Sequence, residues 1–175
     1  RPDTNFGATF IVIAPEHPLV RSIIEGKIPV NPAIFSKIEK YVQDVRGKSD
    51  IERIAEGRKK TGVDTGFVAI NNLNSKELPI YISDFVLGHF GTGAVVGVPG
   101  HDKRDFEFAK EFNLEVLRVV SREGDISPIE NIEQVQEDEG KMVNSEFLNG
   151  LDIHEAIIKI MDYIEAKGWG NKVIN

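Results

Sequence analysis

GTGAVVGVPGHDKRD, Gly91 to Asp105, is the densest polar cluster in the chain, and the architecture turns on how it is read. Gly91 to Val98 is short, apolar and β-branched, which predicts a strand; its glycines at 91, 93 and 97 imply that something approaches the backbone closely. Pro99-Gly100 stops that strand. Asp102 then has the position and chemistry of a helix N-cap, with Asp105 in the favourable first turn, so a helix is expected through about Phe112.

Working outward, Ala8 to Ala14 (ATFIVIA) reads as a buried strand ended by Pro15 and Pro18, and Leu19 to Glu25 as a short helix. Asn31-Pro32 is a cap followed by proline at the first helical position. Ile34, Ile38, Tyr41, Val42 and Val45 then recur at helical spacing, so a helix is expected to about Arg46. Ser49 and Glu52 stand at capping-box spacing before a second short helix to about Gly57. Gly66 to Asn71 and Leu78 to Ser83 read as two strands joined through Asn72 to Glu77, a hairpin with a long loop. Beyond the opening cluster, Leu114 to Val120 reads as a strand and Ile129 to Gly140 as an acidic, solvated turn or helix. Asp152 and Glu155 form another capping pair. The last helix has Ile153, Ala156, Ile157, Ile160, Met161 and Ile164 as its apolar face and ends at Gly168. The sum is a mixed α/β fold in one domain over residues 1–175, its sheet closed into a β-barrel core with helices around it.

With 41% hydrophobic and 28% charged residues, the 175-residue chain has the composition of an ordinary globular protein. No apolar run approaches the roughly 18 to 20 residues of a membrane span. The cysteine count of 0 removes disulfides, thiolate zinc sites and cysteine nucleophiles together, and is compatible with a reducing interior. Lys plus Arg total 21 against 28 Asp plus Glu, a net charge of -7, which argues against a module that grips nucleic acid by neutralising many phosphates. Any nucleic acid must be held locally or by other parts of a larger protein. The chain opens at Arg1-Pro2-Asp3-Thr4 with neither Met nor leader, as an excised piece would.

Three chemistries compete for the cluster. Gly91, Gly93 and Gly97 superficially match a dinucleotide fingerprint, but they are spaced one residue too wide and Pro99 follows where a helix is required. His101, Asp102 and Asp105 are one imidazole and two carboxylates, a plausible metal set, although no other histidine stands at ligand spacing. Simple capping accounts for Asp102 and leaves His101, Arg104 and Asp105 unexplained. The other polar cluster, RPDT, is by itself a turn; Pro2 stiffens it, and Thr4 offers a hydroxyl and a methyl on a β-branched stub. There is no Gly-x-Ser-x-Gly elbow and no Walker motif.

Read together, RPDT ahead of a strand, APEHPL at Ala14 to Leu19 and FVLGHFGTGAVVGVPGHDKRDFEFA at Phe85 to Ala109 resemble the hydrolytic editing domain inserted into bacterial-type leucyl-tRNA synthetase, a class I aminoacyl-tRNA synthetase. MVNSEFLNG at Met142 to Gly150 is similar to the family's late Asn-Ser segment, so the resemblance runs the length of the chain. Isoleucyl and valyl enzymes share the GTGAV and PGHD strings loosely, but they carry Pro-Trp-Thr where this chain has Arg1-Pro2-Asp3-Thr4. The barrel is the editing-domain fold common to the three.

The resemblance implies post-transfer editing: hydrolysis of the ester joining norvaline, isoleucine or a similar wrong amino acid to tRNA(Leu), with leucine excluded. A hydrophobic synthetic pocket gains only about 1 to 3 kcal/mol from one methylene, a figure established on this enzyme class, so a second site must destroy what the first admits. By family likeness Asp105 would anchor the substrate's α-ammonium by a charge-assisted hydrogen bond, Thr4 would block leucine by its bulk, and Arg1 would act with them. His101 and Asp102 would shape the polar network, while Val96 and Val98, facing one way by period two, would line the side-chain pocket. Phe85, Leu87 and Phe90, with the backbone of Gly91, Thr92 and Gly93, would receive the terminal adenosine. Expected partners are that 3′ adenosine of aminoacylated tRNA(Leu) and the rest of the parent synthetase. A monomer in the cytoplasm or an organelle is expected, away from membranes. Editing needs no cofactor or metal, whereas the parent uses ATP and Mg for aminoacylation. An alternative is a non-catalytic docking module for the tRNA 3′ end, or the editing domain of an isoleucyl or valyl enzyme. Two departures are visible: Phe90 stands where the family has tyrosine, and Val96 where it has methionine. The family's threonine pair, which precedes RPDT, falls outside this chain.

Overall fold

The apolar run after Ala8 forms strand β1 (Phe10–Ile13) in the computed structural model, which describes residues 1–55, 57–122 and 124–172. The chain divides into two units, Thr9–Gly97 and a second assembled from Arg1–Ala8 with Val98–Asn175. No helix of the described residues is long and apolar enough to cross a membrane.

In the sheet unit, β1 is followed by α1 (Pro18–Ile24), α2 (Pro32–Val45) and α3 (Asp50–Ile54). Each begins where its cap dictates. His17 Nδ1 accepts the Leu19 N–H at 3.1 Å, Asn31 Oδ1 the Ala33 N–H at 2.8 Å, and Ser49 with Glu52 forms a reciprocal capping box. The hairpin follows as β2 (Val63–Ile70) and β3 (Glu77–Ile82), then β4 (Ala94–Gly97). Strand order is β2-β3-β1-β4: β1 runs parallel to β3, with Ile11 opposite Ile80, and antiparallel to β4, with Ile11 opposite Val96. Ile13 and Ile82 from the sheet meet Val20, Ile23 and Ile38 from α1 and α2 in one buried cluster. The close approach that the glycines implied occurs at Gly97, where a Cβ would lie 2.2 Å from Phe10 Cε2.

In the terminal unit, Pro2–Gly7 is a short 3-10 helix, and α4 (Lys103–Glu111) starts at Asp102. β5 (Val120–Ser121) and β6 (Lys141–Met142) make a two-stranded antiparallel ribbon, and α5 (Ile153–Ala166) closes the unit, capped by Asp152 on the His154 N–H at 2.9 Å. Ile153, Ala156 and Ile160 are the fully buried positions of α5, and Gly168 ends it at a φ of 69°. Phe6 packs edge-on against Phe147, and Phe147 in turn against a tilted Tyr163, with centroids 5.7 and 4.8 Å apart.

Several expectations are corrected. Among the described residues the sheet does not close into a barrel: its order leaves β2 and β4 at the edges. The strand expected over Gly91 to Val98 is only Ala94–Gly97, because Gly91 and Gly93 turn the chain at positive φ and the Val98 N–H goes to a side chain instead of a ladder. Leu114 to Val120 is irregular until its last residue, Val120, which pairs with Met142 at the start of β5; the Val119 amide before it points to His101 and not to a neighbouring strand. The acidic run is not wholly solvated: Ile129 and Val135 pack on Phe106, with a 3-10 turn at Ile132–Gln134 between them. The short helix of Ser49 stops at Ile54, and Glu56, inside its expected span, lies outside the described residues.

Candidate functional site

The candidate residues fall into two groups, each within one unit. Arg1, Thr4, Val98, His101, Asp102 and Asp105 belong to the terminal unit; Phe85, Leu87, Phe90, Gly91, Thr92, Gly93 and Val96 belong to the sheet unit.

In the terminal unit RPDT is more than a turn. The Arg1 guanidinium grips the Asp3 carboxylate through Nε and Nη2, the latter at 2.6 Å, while Nη1 donates to the Glu137 carbonyl at 3.1 Å. Asp3 is fully buried, and the sequence reading assigned it no role. Its one legible signal was its place two residues from an arginine inside the motif. Thr4 is also buried, and its hydroxyl donates to the Arg1 carbonyl at 3.0 Å. With that proton committed, what Thr4 offers a ligand is chiefly bulk. The 3-10 helix ends at Gly7, whose absent Cβ would lie 2.8 Å from Val119 and 3.4 Å from Val98, so only glycine lets the two segments pack.

The PGHD segment is held by its own side chains. Asp102 caps α4, accepting the Arg104 N–H at 2.8 Å and the Asp105 N–H at 3.2 Å, and it pairs with the Arg104 guanidinium at 3.0 Å. Burial works to raise the Asp102 carboxyl, but the Arg104 hydrogen bond and charge, with the two backbone donors, together hold it below its ordinary value. Asp105 is buried in the first turn of α4, and its Oδ2 accepts the Val98 N–H at 2.9 Å.

His101 bridges three stretches of backbone. Its Nδ1 donates to the Gln136 carbonyl at 2.7 Å, and its Nε2 accepts from the Val119 and Val120 amides at 2.9 and 3.2 Å. Those two donors require an unprotonated Nε2, which fixes the neutral Nδ1–H tautomer. Burial, aided by the charges of Arg1 and Arg118 and opposed by the Gln136 carbonyl, lowers its pKa to about 4. This overturns the metal reading of His101, Asp102 and Asp105, because the imidazole has no lone pair left for a cation and Asp102 is committed to the helix cap. Among the described residues, the group whose ligand atoms converge is Glu139, Asp152 and His154, a largely exposed set that includes none of these three.

In the sheet unit, the segment after β3 runs through Phe85 to Gly93 as a succession of tight turns, with the Phe90 N–H donating to the Leu87 carbonyl and the Gly93 N–H to the Phe90 carbonyl. Phe85 is half-buried with Lys60 Nζ 5.5 Å from its ring centroid, Leu87 is buried, and Phe90 is 67% exposed beside His89. Gly91 and Thr92 are exposed. Gly91 and Gly93 adopt φ of 55° and 71°, which a side chain would resist. Val96 is 45% exposed on β4, whereas Val98 is 8% exposed and lies beyond the strand. The shared face expected from period two is therefore corrected: the strand ends at Gly97, between them. Also unassigned by sequence is Arg53, buried beneath the Asp84 and Val86 carbonyls.

Comparison with known proteins agrees with the motifs. The family described as "Leucyl-tRNA synthetase, editing domain" matches residues 1–165. A solved structure, the LeuRS agnB2 of Agrobacterium radiobacter K84 in a ternary complex with tRNA and LeuAMS, is similar at 30% identity with a TM-score of 0.63. That match covers 98% of this chain and 17% of the other. The chain thus spans about a sixth of that relative. On these matches, and on the RPDT and PGHD segments that carry them, the chain belongs to the leucyl-tRNA synthetase editing-domain family.

Proposed function

We propose that this chain performs post-transfer editing: hydrolysis of the ester that joins a wrong amino acid, such as norvaline or isoleucine, to the terminal adenosine of tRNA(Leu), with leucine spared. The observation that carries this reading is the buried carboxylate of Asp105, fixed by the Val98 amide and by the first turn of α4, in the same compact unit as the buried Thr4. A charged aminoacyl ester carries an ammonium group, and a carboxylate held in place orients it without reorganisation. Thr4, its hydroxyl tied to Arg1, acts as a wall against the γ-branch of leucine, and the Arg1–Asp3 clamp keeps that wall from yielding. In the sheet unit the exposed Phe90 ring, Phe85 and the turn at Gly91 to Gly93 are assigned to the adenosine. A single nucleotide held this way needs no broad basic face, which accords with the net charge of -7.

The attacking group is a positioned water, with backbone and hydroxyl donors bearing the charge that develops on the ester oxygen. His101 is not its base: both ring nitrogens serve the backbone, and at a pKa of about 4 the ring has little affinity for a proton at neutral pH. The reaction needs no cofactor. The domain works as part of a parent synthetase, in the cytoplasm or an organelle.

The test is deacylation of mischarged tRNA(Leu) by the full-length protein. Asp105→Ala is expected to abolish it, and Thr4→Ala to extend hydrolysis to leucyl-tRNA. Near wild-type hydrolysis by Asp105→Ala, or intact leucyl-tRNA with Thr4→Ala, removes that residue from the mechanism. Binding of the tRNA end without any hydrolysis by the unaltered protein would favour the docking-module alternative.

A further inference from the structure

We infer that Arg53 is a positioning residue that holds the Phe85–Gly93 turn in the shape that receives the adenosine, an inference that rests on the editing function proposed above. α3 is only five residues long, and it faces its arginine inward while Ile51 and Ile54 stand 81% and 58% exposed. Stability alone does not favour that choice, since a buried guanidinium loses its hydration, a cost that packed apolar side chains avoid. What the guanidinium gains is geometry. Its Nε donates to the Asp84 carbonyl at 2.7 Å and its Nη2 to the Val86 carbonyl at 2.8 Å, so one planar group brackets Phe85 from both sides. The remaining edge pairs with Glu16, Nη1 to Oε1 at 2.7 Å and Nη2 to Oε2 at 3.3 Å.

Glu16 carries the restraint onward. A Cβ on Gly88 would lie 2.8 Å from the Glu16 Cβ, so the turn is seated directly against that side chain. A Cβ on Gly93 would in turn meet the Gly88 carbonyl at 3.2 Å, and the Gly93 carbonyl accepts the Ala14 N–H at 2.8 Å. A second clamp fixes the start of the turn: the Asp84 carboxylate takes Lys48 and Arg58, and its backbone N–H donates to the Tyr41 hydroxyl at 3.1 Å. The turn is thus ordered before any nucleoside arrives, and the entropy of ordering it does not count against binding.

The experiment measures steady-state deacylation of mischarged tRNA(Leu) by the full-length protein, together with inhibition by a non-hydrolysable 3′-aminoacyl-adenosine analogue. Arg53→Lys keeps the charge but not the fork, and is expected to raise KM and the inhibition constant together by about tenfold while kcat changes less than about twofold. Glu16→Gln, whose side chain is half exposed and whose folding is not at risk, moves both constants the same way by about threefold. The double variant is expected to be no worse than Arg53→Lys alone, since both act on one contact. If kcat falls with the folded fraction while KM and the inhibition constant of both single variants stay at wild-type values, Arg53 is merely structural and the inference is overturned. If the unaltered protein hydrolyses no mischarged tRNA, it is the editing function that fails, and the analogue's affinity for the Arg53 and Glu16 variants still decides the positioning role.

Discussion

His101 sets a pH dependence that can be worked out from its surroundings. In the folded chain Nε2 receives two backbone N–H groups, so a proton added there would point a third donor at them. Burial, with the charges of Arg1 and Arg118, lowers the pKa from 6.5 to about 4. Between those values the unfolded chain takes up a proton that the folded chain refuses, so stability falls as the pH falls, from about 6.5 downward. Each unit of difference is worth about 1.4 kcal/mol, which amounts to a loss of about 2 kcal/mol by pH 5 and about 3 kcal/mol by pH 4 from this residue alone. Two measurements check it. The imidazole nitrogen shifts in an NMR titration should report the Nδ1–H tautomer and no titration until the pH nears 4. Denaturant titrations of wild type and His101→Gln should show the variant less stable at pH 8 but losing about 2 kcal/mol less than wild type between pH 8 and 5. An imidazole that titrates near 6.5 in the folded chain, or equal acid sensitivity of the two proteins, refutes the argument.

Two further substitutions separate packing from capping. Gly97→Ala places a methyl 2.2 Å from the ring of the fully buried Phe10, and is expected to cost about 1 to 3 kcal/mol of stability in a denaturant titration, recovered in part by adding Phe10→Leu. Wild-type stability of the single variant would show that the strand pair relaxes freely. Asp102→Ala removes the side chain that caps α4, and should lower stability by about 1 kcal/mol above pH 5 with a shrinking difference in acid, because a carboxyl held below its ordinary value stabilises only while ionised. A difference that persists undiminished well below the ordinary carboxyl range would mean that the cap does not depend on the charge.

What the sequence revealed about the fold was what local chemistry decides. The caps at Asn31, Ser49 and Asp102 and the β-branched run of β1 act within a few residues, and they placed α2, α3, α4 and β1 to within a residue or two at their starts. Strand extent was less legible, because a strand exists only where its amides find a partner strand. Val98 and Val119 have strand-like side chains but lie outside the strands, the Val98 amide taken by Asp105 and the Val119 amide by His101; Val120 begins β5 although its amide also goes to His101. Nothing near these valines announces it, since the competing acceptors lie 7 to 19 residues away. α3 shows the same limit in a helix: Ile51 and Ile54 at helical spacing suggest an inward face, but the buried residue is Arg53, whose partners come from Glu16 and the turn after β3. Closure of the sheet into a barrel was likewise beyond local reading, because it depends on whether edge strands meet.

The candidate site was legible as motifs, but the division of labour inside those motifs was not. RPDT and PGHD each looked like a set of catalytic groups, and in the structure most of those groups serve the backbone. The Arg1 guanidinium goes to Asp3 and Glu137, the Thr4 hydroxyl to Arg1, both His101 nitrogens to three peptide groups, and Asp102 to the start of α4. A group whose hydrogen-bonding capacity is consumed in this way cannot shuttle a proton without breaking the fold it supports. What remains for chemistry is a fixed charge, a fixed volume and peptide dipoles. Such a set suits a reaction whose nucleophile is water and whose selectivity is steric, and it is poorly suited to covalent catalysis, which needs a nucleophile with a base at hand. The proposed hydrolysis should therefore depend on two things: the Asp105 charge that anchors the ammonium, and the packing that keeps these segments from moving.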